Sequence, residues 1–304
     1  MAEFGIGVDL GGTNLRAAAV DRSGVMLDTV SCKTNYSAGR EAILGDMVDS
    51  ISTLRSRCGT GNLVGIGVGV PGFILMEEGV IGNSNNLASL EHFPLRDELS
   101  KRLGVPVILE NDANAATIGE QFAGAGKGMK DLVMLTLGTG VGGGIISDGQ
   151  IIRGTLGMAG ELGHITVVPN GNPCGCGNRG CVEKHASATA ITAMAKLLGL
   201  GDSLSAKQVY DLAMEGNQKA LMIFSSMGEA LGILLAMLIN TFNFPLYLIG
   251  GGVIDGWDLF APAMLEETKR RSYTFRASNP RIEKAQLGNK AGLYGAAFLP
   301  LIKR

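Results

Sequence analysis

Apolar positions recur along the chain with two periods, and their alternation outlines an α/β protein. The run 4–10 is apolar and ends in Asp9-Leu-Gly-Gly-Thr-Asn-Leu-Arg16. A second strand is predicted at 15–20, a turn at 21–24 and a third, alternating strand at 25–32, so the chain opens on a hairpin with a Gly-Gly-Thr tip. Ile43, Met47, Ile51 and Leu54 repeat at helical spacing within 40–57, and 63–70 reads as a buried strand ending in Pro71-Gly72. A strand at 105–109 precedes a helix at 113–122. A strand at 132–137 leads into Gly138-Thr-Gly-Val-Gly-Gly-Gly144, and Asp148-Gly149 reads as the turn of a second hairpin. The remainder is mainly helical, over 186–198, 205–214 and 218–242. A strand from 246 ends in three glycines, a helix covers 257–271, an edge strand 281–287 and a closing helix 291–302.

Composition narrows this picture. The chain has 304 residues, of which 46% are hydrophobic, and a net charge of −2. That size supports one large domain or two lobes, and the near-neutral charge speaks against a nucleic-acid surface. No basic, apolar leader opens the sequence, and the longest apolar run, 230–239, is too short for a bilayer span. An odd count of five cysteines without an export signal implies a reducing cytoplasm. Glycine is abundant, 46 of 304 residues or about 15%, twice the usual share. Its short runs suggest loops that approach a ligand with bare backbone.

The densest chemistry lies between Gly160 and Glu183. His164, Cys174, Cys176 and Cys181 are four zinc-type ligands in one segment, and the glycines around them allow side chains two residues apart to converge on one ion. A disulfide with a spare thiol, or plain buried cysteines, would use the same residues. A metal joining His164 to Cys181 would also bring Glu161 near Glu183, giving two acidic acceptors suited to a polyhydroxylated ligand. At the first hairpin tip, Gly11 and Gly12 allow backbone N–H groups to approach phosphate oxygens, Thr13 adds a hydroxyl, and Asp9 can hold hydrated Mg²⁺. Gly138, Thr139, Gly140 and Gly142 repeat the pattern at the second tip. Asp112 falls between a strand and a helix, where α/β active sites collect, although an N-cap aspartate would fall there too. Gly67–Gly72 and Gly138–Gly143 both fit G-x-G-x-x-G, but neither opens a helix, and Walker A is absent. Two phosphate-type tips in two halves suggest a duplicated lobe with nucleotide clamped in the cleft, the layout of the actin/hexokinase-like fold.

Taken in order, Asp9-Leu-Gly-Gly-Thr-x-x-Arg16, Pro71-Gly72, Asn86-Leu87, Glu110-Asn-Asp112, Thr136 to Gly144, Gly160-Glu-Leu-Gly-His164, Cys174-Gly-Cys-Gly-x-x-Gly-Cys181-x-Glu183 and Ile249 to Gly252 resemble the ROK family of bacterial sugar kinases and repressors. The resemblance implies the two-lobed actin/hexokinase-like (ribonuclease H-like) ATPase fold with a structural zinc loop at 164–181. A small α/β lobe over 1–115, rejoined by the closing helix 291–304, and a large lobe over 116–290 are expected. It implies ATP-dependent phosphorylation of the 6-hydroxyl of a hexose, with Asp112 as general base. Gly72, Asn86, Asn111, Asp112, Glu161, His164 and Glu183 would meet the sugar. Asp9, Gly11, Gly12, Thr13, Asn14, Gly138, Thr139, Gly140, Gly142, Gly251 and Gly252 would meet Mg-ATP, and one structural zinc is expected. Glucose is the first choice, with N-acetylmannosamine, N-acetylglucosamine and fructose as alternatives. Repressors of the family carry a helix-turn-helix before the Asp-x-Gly-Gly-Thr strand, which here begins at Phe4, so a sugar-sensing regulator is the lesser expectation. A homodimer or homotetramer without nucleic-acid or membrane partners is expected.

Overall fold

The structure, a computed structural model, describes residues 3–11, 14–34, 38–84 and 87–302. The chain forms two compact units: Met1–Lys130 with Gly144–Gly160 and Asn289–Arg304, and Asp131–Gly143 with Glu161–Gly288. In the first unit β1 (Phe4–Leu10), β2 (Asn14–Asp21), β3 (Met26–Lys33), β4 (Leu63–Val70) and β7 (Val107–Asn111) form one sheet in the order β3-β2-β1-β4-β7. β5 (Phe73–Leu75) and β6 (Val80–Asn83) make a small separate hairpin. The second sheet is ordered β10-β9-β8-β11-β12, from β8 (Leu132–Leu137), β9 (Val141–Ser147), β10 (Gln150–Ile151), β11 (Leu246–Gly250) and β12 (Arg281–Lys284). Numbered within each sheet, both orders are 3-2-1-4-5, so the repeat suggested by the two glycine tips is a repeat of topology. β9 leaves the second unit at Gly143. It turns into β10 through Asp148 and Gly149, whose φ angles of 49° and 78° are those of a type I′ turn.

The strand period explains the first core. In β1, Phe4, Ile6, Val8 and Leu10 join Ile43, Met47, Ile51 and Leu54 of α1 (Arg40–Cys58) in one buried cluster, which Leu95 and Leu99 of α2 (Leu95–Leu103) complete. The alternating positions, Gly5 and Gly7, leave the other face bare. The closing helix α10 (Ala291–Phe298) lies there, against β1, β2, β4 and α3 (Asp112–Ala123). A Cβ on Gly7 would stand 2.3 Å from the Leu293 carbonyl oxygen, and one on Gly67 of β4 1.9 Å from that of Ala296. These glycines therefore make room for a helix rather than for a ligand. Of the stray G-x-G-x-x-G match at 67–72, Gly67 meets this helix, Gly69 faces Ala115 of α3, and Gly72 has a φ of 115°.

Several predicted boundaries move: the edge strand expected at 281–287 is β12 at Arg281–Lys284, and the closing helix expected at 291–302 is α10 at Ala291–Phe298 with a 3₁₀ turn at Leu299–Leu301. Strand 105–109 is β7 at Val107–Asn111, because its parallel register with β4 runs from Ile66↔Val107 to Val70↔Asn111. The helix at 186–198 is split into α4 (Glu183–Ala186) and α5 (Ala188–Leu197) at Ser187, whose extended backbone and side chain cap α5 by accepting from the Ala190 N–H. α6 (Ala206–Met214) opens with a capping box of Ser205 and Gln208. α7 (Gln218–Phe242), at 25 residues, is long and apolar enough to cross a bilayer, unlike the ten-residue run noted in the sequence, yet 67% of its apolar window is buried. It packs along α8 (Trp257–Arg271) and against α4, α5 and α6, as the core helix of the second unit.

Candidate active site and metal centre

Asp112 is the first residue of α3, directly after β7. The capping role falls not on Asp112 but on Asn111, whose Oδ1 accepts from the N–H groups of Ala113 and Asn114 at 2.9 and 3.1 Å. The Asn111 amide also donates to the Gly72 carbonyl at 3.2 Å, so Pro71-Gly72 and Glu110-Asn-Asp112 meet. Asp112 is exposed and its Oδ1 accepts from the Ala113 N–H at 2.8 Å. Behind it lies a group the sequence did not point to. Glu110 is buried and meets Arg153, with Asn114 donating to its other oxygen. Arg153 is 43 residues away in the chain, and no local pattern marks such a pair.

Asp9, next to last in β1, lies opposite Arg16 of β2, and Oδ2 of Asp9 meets the guanidinium at 2.5 Å. The hairpin register thus gives the Asp-x-x-x-x-x-x-Arg spacing a structural meaning. Gly11 N–H donates to the Asn14 carbonyl across the turn at 3.0 Å. Gly12 and Thr13 of this tip, and Asn86, lie outside the described residues.

In the second unit the four proposed metal ligands come together. Two sulfurs bound at about 2.3 Å to one tetrahedral ion lie about 3.8 Å apart. The sulfurs of Cys176 and Cys181 are 3.7 Å apart and that of Cys174 is 3.6 Å from His164 Nδ1. All four ligand atoms lie within 4.8 Å of one another. The loop is held by backbone bonds, Cys174 N–H to Asn178 O at 2.8 Å and Gly180 N–H to Asn172 O at 2.8 Å. Gly180 has φ 74°, and a Cβ there would fall 1.7 Å from the Val168 oxygen, so this turn needs glycine. Burial pushes the Cys181 thiol up to about 12, whereas the Asn178 backbone holds Cys176 below the usual thiol range. A bound cation would favour all three thiolates, and the S₃N donor set fits zinc.

Both flanking glutamates lie beside the cysteine–histidine cluster. Glu161 Oε2 is 3.9 Å from His164 Nε2, the ring nitrogen turned away from the cysteines. Burial raises Glu161 above the usual carboxylate range and the charge of Glu183 adds to this, while His164 opposes it. Glu183 Oε1 is 4.0 Å from the Cys174 sulfur, and its Oε2 accepts from the Val141 N–H at 3.2 Å, beside Gly140. One carboxylate therefore links the cysteine loop to the second glycine tip. That tip is fixed further by Ala188 N–H to Gly138 O at 2.8 Å and Thr189 Oγ1 to Thr139 O at 2.7 Å. Gly142 lies within β9 rather than on the tip, because strand pairing starts at Val141. Gly251, with φ 95°, turns the chain after β11, and Gly252 shares a pocket of about 350 Å³ with Gly138 and Thr139. Ile191, Tyr210, Phe224 and Val253 give this pocket apolar walls. These four come from separate helices and a loop, and their sequence pattern was that of ordinary core.

A profile of the ROK family matches residues 5–302. The glucokinase of Halalkalibacterium halodurans is 37% identical over 97% of this chain and 94% of its own. The ROK hexokinase structure from Thermus thermophilus is similar with a TM-score of 0.88 at 34% identity, covering 97% of this chain and 96% of that one. A ROK family glucokinase from Streptomyces griseus, solved in complex with glucose and AMPPNP, gives 0.79 at 36% identity, covering 97% and 98%. With these neighbours, the duplicated sheets are those of the two-lobed actin/hexokinase-like fold.

Proposed function

The chain belongs to the ROK family, and from that membership we propose that it is an ATP-dependent glucokinase, moving the γ-phosphoryl group of Mg-ATP to the 6-hydroxyl of glucose. The observation that carries this reading over a sugar-sensing regulator is the pocket that unites Gly138-Thr139 with Gly252 between apolar walls. A sensor of sugar alone has no use for it, whereas a base and ribose between apolar walls, with phosphates on glycine backbone, would fill it.

Phosphoryl transfer asks the protein mainly for positioning and charge stabilisation. The sugar oxygen bonds to the γ-phosphorus as the bond to the β,γ-bridging oxygen breaks. ADP departs and the hydroxyl proton passes to the Asp112 carboxylate. Glu161 and Glu183 are assigned to accept sugar hydroxyls, and Asn111 and Gly72 are the first unit's assigned sugar contacts. His164 divides its nitrogens, Nδ1 to the metal and Nε2 to the substrate side, as the distances to Cys174 and Glu161 allow. Asp9 is the hard oxygen donor that would hold Mg²⁺, and one of its oxygens is neutralised by Arg16 until then. Mg²⁺ supplies neutralisation of the phosphate charge. A single zinc held by His164, Cys174, Cys176 and Cys181 would supply structure to the sugar-binding loop. The assembly is a homodimer or homotetramer, which light scattering on the purified protein reads directly.

A coupled ADP-release assay with glucose, N-acetylmannosamine, N-acetylglucosamine and fructose tests the reading. Glucose should give the highest kcat/KM. Absence of ADP release with every sugar would refute the kinase, and a higher value for another sugar would move the substrate without changing the reaction class.

A further inference from the structure

Glu110 is the member of Glu110-Asn-Asp112 for which the proposed reaction has no use, yet it is the one placed with most care. Its side chain is 2% exposed. Nε and NH2 of Arg153 both reach Oε2, at 2.8 and 2.7 Å. Oε1 accepts from Asn114 Nδ2 at 3.1 Å and from the Asn111 N–H at 3.2 Å. Four donors on two oxygens satisfy a carboxylate that burial would otherwise penalise heavily. Such a pair is a poor device for stability, because desolvating both charges offsets much of their attraction. What it provides is geometry. The fork fixes the end of β7 from behind, while Asn111 fixes the start of α3 in front through Ala113, Asn114 and Gly72. Asp112 directly follows these two anchored residues, at the junction of β7 and α3. Arg153 is itself presented from a closed turn, since its carbonyl accepts the Ala159 N–H at 2.9 Å.

We infer that Arg153 is a positioning residue of the transfer reaction, acting through Glu110 to hold the Asp112 carboxylate where the sugar hydroxyl must deliver its proton. This role rests on the kinase reading. Positioning is where a small displacement is amplified: a 1 Å misplacement can cost ~10²-fold in rate.

Three variants of the full chain test it: Arg153→Met, which keeps length and loses charge and fork; Arg153→Lys, which keeps the charge alone; and Glu110→Gln with Arg153→Met, which removes both charges. Arg153→Met should lower kcat by roughly 10²-fold, with the KM values for glucose and ATP nearly unchanged. Arg153→Lys, the variant least disturbing to folding, should fall between it and the parent. The double variant should recover the thermal stability lost in Arg153→Met, because no buried charge is left unpaired, but it should not recover kcat. Hydrogen exchange over residues 107–116, measured without substrate, should be faster in all three than in the parent. A double variant whose kcat returns together with its stability would reduce the pair to a structural role and overturn the inference, as would parental kcat in Arg153→Met. Unchanged exchange over 107–116 would overturn the inference while leaving the kinase reading intact. A parent that phosphorylates no hexose removes the reaction, and this role with it.

Discussion

Asp112 lies one residue beyond the cap of α3, and that offset separates chemistry from folding. Asn111 satisfies the Ala113 and Asn114 N–H groups, so removing the charge of Asp112 should cost the helix little. The general base is typically worth ~10²–10⁴ in rate. Asp112→Asn should therefore lose turnover on that scale while glucose affinity, read by titration calorimetry, changes far less. A variant with near-parental turnover would end the assignment. Asn111→Ala would be a poor companion test, because the same side chain caps α3 and ties Gly72. A loss of activity there would report folding and chemistry together.

The loop between Gly160 and Glu183 carries its shape in its own backbone bonds, Gly180 and its four ligands, and its position through Glu183. The proposed metal and sugar functions are therefore separable from the core. Cys176 is exposed at the outer edge of the ligand set, so Cys176→Ala should retain the circular dichroism of the parent and lose sugar binding with activity. Metal analysis of the parent should give about one zinc per chain. Acid should release it. The ligands bind as thiolates and neutral imidazole, and protons compete for them. Without metal the Cys181 thiol is pushed up to about 12, so the proton is a strong competitor there. Zinc affinity, measured against a chromophoric chelator, should fall steadily as pH is lowered. A zinc-free parent purified without chelator, or a Cys176→Ala variant that binds glucose like the parent, would refute this role.

At the scale of the whole chain, α10 locks α3, the element that opens with the proposed base. α10 crosses α3 where a Cβ on Gly295 would stand 1.7 Å from the Ala115 carbonyl oxygen, and one on Gly119 2.1 Å from that of Ala291. The backbones touch because neither helix has a side chain there. Gly295→Ala must push α3 away from α10, and overpacking of this kind costs ~1–3 kcal/mol. The urea midpoint should drop, and kcat should fall with it, since α3 begins at Asp112. An unchanged midpoint would show that α3 and α10 can part without strain.

What the sequence determined by itself was local. Period and turn chemistry marked Leu63–Val70, Leu132–Leu137, Gln218–Phe242 and Trp257–Arg271 at the residues where they occur. The spacing from His164 to Cys181 marked four donors that the fold brings within 4.8 Å of one another, because donors that close in sequence are confined to one neighbourhood whatever the rest of the chain does. Tertiary structure decided everything that depends on distant residues meeting. It turned the glycines of β1 and β4 toward α10 and set Gly252 beside Gly138. It also paired Glu110 with Arg153 across 43 positions. An isolated arginine after a hairpin and a glutamate at a strand end have no shared period and no shared turn. Their pairing arises from how β7 and the segment after β10 are packed, and packing is a property of the folded chain rather than of any window along it.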